Sequence, residues 1–388
     1  MARQSCFPNT LPLNTIMGLL RVPHHNILRL AHVNSGFQLG FLEHKYRFIL
    51  NTSPRFSFVH QSSLSTTTLN GRNMTDAVVP IRAIWFTTSG QWEYAPPAPY
   101  DSKASYAADS LPTSLSLVTW NVDFAAPHPK LRLKAALDYL QFHAFPQFKG
   151  GQPPPCLILL QEIKANVFDT LLEHPWIRAW FMVVPGSAED GWPRFAHYGT
   201  VTLVARSAPL TGSICAHFGE SRMCRNALVT DVVLGGAEPY ARLVRVANTH
   251  LESLPEGTPR RVVQMRVIAG LLKDAKVSDG IVCGDMNAIA PSDETIAEEN
   301  GLLDAWEQRQ NRDEDGTTWG YQPRSRFRAG RLDRILHTPS KGVKIKDVRR
   351  LAVGLEMPNV GWVSDHYGLA CQVEAQQMAL QETEGGKE

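Results

Sequence analysis

Asn121, Glu162, Asp285 and His366 are the side-chain types that metal-assisted cleavage of a phosphate ester needs, and each ends or closely follows a short apolar run. They fall in a series of polar clusters: Thr119-Trp120-Asn121, Gln161-Glu162, Thr249-His250-Leu251-Glu252, Gly284-Asp285-Met286-Asn287, Arg331-Leu332-Asp333 and Ser364-Asp365-His366. Taken singly, each has a bland reading. An Asn before a polar turn is usually a cap, an acid opening a helix suits the helix dipole, and a His beside a strand is often a satisfied core residue. Ser364-Asp365-His366 resists that reading most, because polar residues there interrupt two apolar segments. Six clusters in order, each next to an expected strand, favour an active site.

The chemistry divides among them. Glu162 is the expected ligand of a divalent ion, Mg²⁺ with Mn²⁺ as a substitute, because Mg²⁺ takes one or two carboxylates and keeps several waters. Asp123 is placed to hold a metal-bound water. Asp285, at a Gly-Asp-x-Asn turn, is the candidate general base for the attacking water, and Asn287 the donor to a phosphate oxygen or to that water. His366 is the candidate cation against charge growing on the phosphoryl oxygens. It needs an acidic neighbour to keep its proton, and Asp333 is the candidate. His250 offers a second donor.

These residues need a scaffold of alternating strands and helices. Apolar runs at 115–120, 156–160, 200–205, 227–233, 243–247, 281–283, 332–336, 343–351 and 368–373 predict strands. Residues 131–145, 163–172 and 260–274 have helical periodicity, the second stopped at His174-Pro175. The pattern predicts an α/β fold, a two-sheet sandwich flanked by helices in four layers, over residues 111–375. Residues 1–75 are basic and Ser-rich, with Glu43 the single acid before Asp76. That composition suits a transit peptide, a disordered tail, or a start at Met74. Residues 76–110 read as an aromatic stretch and linker, and 376–388 as a disordered tail. The six cysteines form no CxxC pair and read as reduced core thiols. A net charge of +2 neither requires nor excludes a polyanionic partner. No apolar run is long enough to span a membrane.

The order Trp-Asn, Gln-Glu, Thr-His-Leu, Gly-Asp-x-Asn, Leu-Asp-Arg, Ser-Asp-His resembles the endonuclease/exonuclease/phosphatase superfamily over about residues 115–374. The resemblance implies a DNase-I-like sandwich with Mg²⁺-dependent phosphoesterase activity. Within it, Thr249-His250-Leu251-Glu252-Ser253, Thr318-Trp319 and Ser364-Asp365-His366-Tyr367-Gly368 look like the 5′-tyrosyl-DNA phosphodiesterases. Arg225-Asn226 looks similar to them too. That likeness implies a catalytic core of Asn121, Glu162, Asp285 and His366. It also implies a path for a DNA 5′ end lined by Tyr198, Arg225, Trp319 and residues 250–253, Ser253 among them. Two positions depart from it: Ile289 replaces an expected basic residue, and Leu332 an aromatic one.

Arg225, Arg260, Arg261, Arg324, Arg326 and Arg328 are candidate phosphate contacts. The basic stretch 323–328 is either a grip on a single strand or a solvated loop. The expected partner is DNA carrying a 5′-protein adduct on a single-stranded 5′ end, with no membrane partner and a monomeric protein. The expected compartment is the nucleus. A true presequence would place it in the mitochondrion, and the cytoplasm is a further alternative. Other readings are an abasic-site endonuclease, an RNA deadenylase, a lipid or inositol phosphodiesterase, or a non-catalytic scaffold.

Overall fold

The computed structural model describes residues 76–101, 111–235, 241–309, 316–340 and 342–376. The expectations for residues 1–75, for most of the linker and for the tail beyond 376 lie outside the described residues. The strands in chain order are β1 (Ala77–Pro80), β2 (Ile84–Phe86), β3 (Trp92–Tyr94), β4 (Ser114–Asn121), β5 (Cys156–Lys164), β6 (Phe181–Val184), β7 (Tyr198–Ala205) and β8 (Leu210–His217). They continue with β9 (Asn226–Gly235), β10 (Ala241–His250), β11 (Asp279–Asp285), β12 (Leu303–Asp304), β13 (Asp333–His337), β14 (Val343–Leu351), β15 (Glu356–Met357), β16 (Gly361–Trp362) and β17 (Gly368–Ala375). One sheet runs β1-β8-β9-β10-β11-β13-β12 and the other β14-β17-β4-β5-β7-β6-β2-β3. A small β15-β16 ladder stands apart from both.

Period-two alternation explains how the sheets pack. On β4, Leu115 and Leu117 point between the sheets, where Leu157, Leu159, Val244, Val246, Ile281, Cys283 and Ile335 meet them. The opposite face of the β4 sheet, with Val118, Trp120, Ile158 and Leu160, is covered by Leu133 and Leu137 of the helix Pro129–Tyr139 and by Phe168, Leu171 and Ile177. The outer face of the other sheet, with Val229, Ala247, Val282 and Leu336, carries Met265, Ile268 and Leu272 of the helix Thr258–Leu272. The result is a four-layer α/β sandwich. Each wholly buried Leu or Val contributes about 2 kcal/mol.

That alternation also places the polar clusters. Extending the inward stripes of β4, β5, β10 and β11 by two or four residues leads to Asn121, Gln161, Asn248, His250 and Asp285. The pairs β4/β5 and β10/β11 are parallel, with Asn121 opposite Gln161 and His250 opposite Asp285, so both end on one side. The antiparallel neighbours begin there: Asp333 faces Asp285, and β17 starts two residues after His366. The inter-sheet core therefore opens into a polar mouth at one end.

Several boundaries differ from the sequence expectation. Residues 163–172 are not one helix. Ile163 and Lys164 continue β5, then a 3₁₀ turn Ala165–Val167 leads into the helix Phe168–Glu173. Between Leu160 and Ile163, β5 advances three residues while β7 advances two, from Val201 to Gly199, so one residue is bulged out and pairing resumes. The helix Phe168–Glu173 does stop at His174-Pro175 as expected, and Pro175 also opens the next one, Pro175–Trp180, where its missing N–H costs nothing. The aromatic stretch supplies strands: β1 pairs with β8, and β2 pairs with β3 and β6. Ile81 and Ala83 between them are buried in the inter-sheet core. Among the described residues, no helix is long and apolar enough to cross a membrane.

Candidate active site

Glu162 owes its position to the bulge. In an unbroken strand it would point to the outer face, one residue out of phase with Leu159 and Gln161. The bulge, with Glu162 at φ 63°, turns it into the mouth. Its Oε2 accepts the Phe124 N–H at 2.9 Å, and Oε1 lies 3.8 Å from His250 Nδ1. Asn121 Nδ2 donates to Asp285 Oδ2 at 3.0 Å, and Asn121 Oδ1 accepts the Asp123 N–H at 3.0 Å. One amide thus joins a residue of one sheet to the loop of the other.

Asp285 ends β11 against Gly284, whose φ of 145° suits glycine alone and where a Cβ would strike the Thr249 carbonyl. Its Oδ1 accepts the Asn287 N–H at 2.9 Å, while the Asn287 side chain donates to Leu251 O at 3.0 Å. One Asn287 amide hydrogen is therefore committed to shaping the turn. Burial raises the Asp285 pKa, which strengthens it as a base. Beside it, His366 Nδ1 donates to Asp333 Oδ2 at 2.8 Å, and His366 Nε2 lies 3.8 Å from Asp285 Oδ2. Burial alone would lower the His366 pKa, but the charges of Asp333 and Asp285 outweigh it and hold the pKa well above the ordinary histidine value. His366 is an imidazolium at neutral pH. Its backbone is fixed as well: the carbonyl accepts Trp120 Nε1 at 3.0 Å, and the N–H meets Ser364 Oγ, which donates to Asn121 O at 2.6 Å.

His250 contrasts with it. Burial, with the Arg225 and His366 charges nearby, keeps its pKa well below the ordinary value, so it is neutral. Its Nε2 lies 3.4 Å from Asp285 Oδ2. Arg225 is buried and donates to His250 Nδ1 at 2.9 Å and to Ser253 Oγ at 2.8 Å. The Arg225 guanidinium also lies 5.3 Å from the centre of the Tyr198 ring, which stacks on Phe124 at 3.7 Å. Trp319 bridges to His366 through its backbone and donates Nε1 to Asp365 Oδ2 at 2.8 Å.

Asp285, Asp333 and His366 each offer a ligand atom within 4.8 Å of the others, the one such cluster among the described residues. Within this trio the His366 Nδ1 is engaged by Asp333 Oδ2 at 2.8 Å, which makes it an acid–imidazolium–acid couple. Glu162 fits a divalent cation better. Its side chain is 15% exposed, and burial pushes its pKa up to about 7, which a bound dication would reverse. Asp123 Oδ1 accepts the Ala125 and Ala126 N–H groups at 3.1 Å, leaving Oδ2 for a water of such an ion.

The structure thus gathers Asn121, Asp123, Glu162, His250, Asp285, Asn287, Asp333 and His366 at one mouth, with Tyr198, Arg225, Ser253 and Trp319 beside them. Some expectations change. Arg261 is no phosphate contact: it is wholly buried, forked onto Asp293 at 2.7 and 3.0 Å and bonded to the Glu252 and Leu254 carbonyls. Arg260 donates to the Glu220 and Glu256 carbonyls. Leu332 is buried, whereas Ile289 is 44% exposed. Two supporting residues were given no role by the sequence, though Thr318 stands in the Thr318-Trp319 motif. Asn248 crosses between the sheets, donating to Leu160 O and Val201 O and accepting from Gln161 Nε2 at 2.8 Å. Thr318 Oγ1 accepts the N–H groups of Leu332 and Asp333. The signal for Asn248 was its inward parity on an otherwise apolar strand.

Residues 118–366 match the sequence model of the Endonuclease/Exonuclease/phosphatase family. The chain belongs to that family. It is similar to mouse tyrosyl-DNA phosphodiesterase 2, 25% identical over 271 residues, which span 67% of this chain and 66% of the mouse protein. The Danio rerio tyrosyl-DNA phosphodiesterase 2 is 25% identical over 273 residues, with the same shares covered. The chain thus spans 66% of the length of these relatives. Among solved structures, the Danio rerio TDP2 complexed with single-strand DNA product superimposes with a TM-score of 0.53 at 22% identity, covering 68% of this chain and 99% of that one. Truncated Caenorhabditis elegans TDP2 gives 0.51 at 20%, covering 68% and 98%. At these identities the superpositions establish the shared fold.

Proposed function

We propose that this protein is a Mg²⁺-dependent phosphodiesterase that hydrolyses 5′-phosphotyrosyl DNA, releasing tyrosine adducts and leaving a 5′-phosphate. The carrying observation is the division of protons at one mouth: a buried carboxylate base, Asp285, 3.8 Å from a histidine that Asp333 keeps cationic. In this reading water attacks phosphorus, its proton passes to Asp285, and the phosphorus–oxygen bond to the tyrosyl phenol breaks. Asn121 orients Asp285, and the His366 imidazolium neutralises charge on the phosphoryl oxygens. Glu162, with Asp123 beside it, would hold a divalent ion, and that ion would supply further charge withdrawal from the phosphate. Mn²⁺, equally at home among oxygen ligands, is expected to substitute. The substrate class is supported by two curated relatives named tyrosyl-DNA phosphodiesterase 2 and by the neighbour holding a single-strand DNA product. The use would be repair of trapped topoisomerase–DNA complexes by a monomer in the nucleus.

The test offers the full-length protein a 5′-phosphotyrosyl single strand, an abasic duplex and a 3′-adenylated RNA, each with Mg²⁺, Mn²⁺ or EDTA. Metal-dependent tyrosine release, with the other two substrates spared, is the expected result. Preferential cleavage of either other substrate would refute the tyrosyl assignment and keep the phosphodiesterase.

A further inference from the structure

We propose that Glu252 is a positioning residue: its buried carboxylate folds the loop 221–225 and thereby delivers Arg225 to His250, fixing which ring nitrogen of that histidine carries the proton. The inference rests on the phosphodiesterase reading only for its kinetic consequence. Glu252 is 2% exposed and touches none of the groups assigned to the chemistry. Its Oε2 accepts Ser221 Oγ–H at 2.8 Å and Gln264 Nε2–H at 3.2 Å, and its Oε1 accepts the Arg222 N–H at 2.8 Å. Gln264 sits on the helix Thr258–Leu272 and its Oε1 accepts the Glu252 N–H at 2.9 Å, so the carboxylate is gripped from the helix. The held hydroxyl of Ser221 in turn accepts the N–H groups of Met223 at 3.2 Å and Arg225 at 2.8 Å. One carboxylate therefore organises both ends of the turn that carries Arg225.

The consequence appears at His250. A guanidinium can only donate, so the 2.9 Å contact from Arg225 Nη1 makes His250 Nδ1 an acceptor. The proton then sits on Nε2, the nitrogen 3.4 Å from Asp285 Oδ2. Arg225 makes no ion pair among the described residues, and its Nε lacks a partner. Among the described residues, the loop, neutral acceptors and the Tyr198 ring hold it there. An amide in place of the carboxylate can accept on one side only, so either Ser221 or Arg222 is released.

The experiment is a double-mutant cycle in the full-length protein with the 5′-phosphotyrosyl oligonucleotide. Glu252→Gln is expected to lower kcat about tenfold with KM nearly unchanged, and to change it less than twofold in an Arg225→Ala background. Imidazole ¹⁵N spectra, with His250 assigned by its loss in His250→Gln, should show one Nε2–H form in the wild type and a mixture in Glu252→Gln. Equal fold losses in both backgrounds, or an unchanged His250 ring, would overturn the proposal. Should Glu252→Gln fail to fold, Ser221→Ala, which removes the same link from the loop side, replaces it with the same expectations. A wild-type protein inactive on this oligonucleotide would sink the substrate reading, and the ring spectrum alone would then decide the role of Glu252.

Discussion

His366 and His250 lie against the same carboxylate, 3.8 and 3.4 Å from Asp285 Oδ2, yet one is cationic and the other neutral. Their second nitrogens decide the difference: His366 Nδ1 meets Asp333, and His250 Nδ1 meets Arg225. Asp333→Asn should therefore cost about a hundredfold in kcat and move the alkaline limb of the pH–rate profile to lower pH. An equal loss at every pH would contradict this account. Glu162 gives a stability prediction with a definite sign. Its folded pKa, about 7, is raised above the ordinary 4.5. Its stability contribution is thus present below about pH 4.5 and lost as pH rises through 7. In EDTA, Glu162→Gln should raise the unfolding free energy at pH 8 by at most about 3 kcal/mol and leave it nearly unchanged at pH 4.5, while abolishing activity with Mg²⁺. Calorimetry at both values checks it. The four principal residues were legible in the sequence because each is a polar break next to an apolar strand. Arg261 was misread because an arginine on an amphipathic helix resembles a surface charge, and its fork onto Asp293 joins segments 32 residues apart.

At the scale of the element, the site depends on where strands end and on one bulge. Apolar runs revealed the long strands, since β4, β5, β9, β10 and β11 are apolar on both faces. The short strands β1, β2, β3 and β6 were not legible, having three or four residues and no pattern of their own; pairing with a neighbour defines them. The bulge was hidden for a similar reason, because nothing local in Leu160-Gln161-Glu162-Ile163 says that β7 will pair one residue short. Asn248 is the clearest element-level test. It is wholly buried and joins β10 to the backbones of β5 and β7. Asn248→Ala removes one partner from the Gln161 amide, which keeps Thr119 Oγ1 and Leu159 O, and takes the side-chain donor from the Leu160 and Val201 carbonyls. It should cost about 2–4 kcal/mol in urea unfolding. A loss below about 0.5 kcal/mol would show that the two sheets do not need this link.

At the scale of the whole molecule, the four layers hold one polar mouth by making each strand end where its neighbour's site residue stands. The strands at 77–94 belong to that architecture: β1 lines β8, β2 lines β6, and Ile81 and Ala83 fill the core. A chain starting at residue 111 should melt several degrees lower than the full-length protein and associate through the freed edges of β8 and β6. Scanning calorimetry and sedimentation would show it; equal melting temperatures would contradict the packing. The central claim is that water, activated at Asp285, attacks phosphorus at this mouth. The most direct measurement is hydrolysis of the 5′-phosphotyrosyl oligonucleotide in H₂¹⁸O with Mg²⁺, read by mass spectrometry. One ¹⁸O in the oligonucleotide 5′-phosphate, none in the released tyrosine, and no turnover by Asp285→Asn is the predicted result. Label in the tyrosine, or wild-type rates from Asp285→Asn, would contradict it.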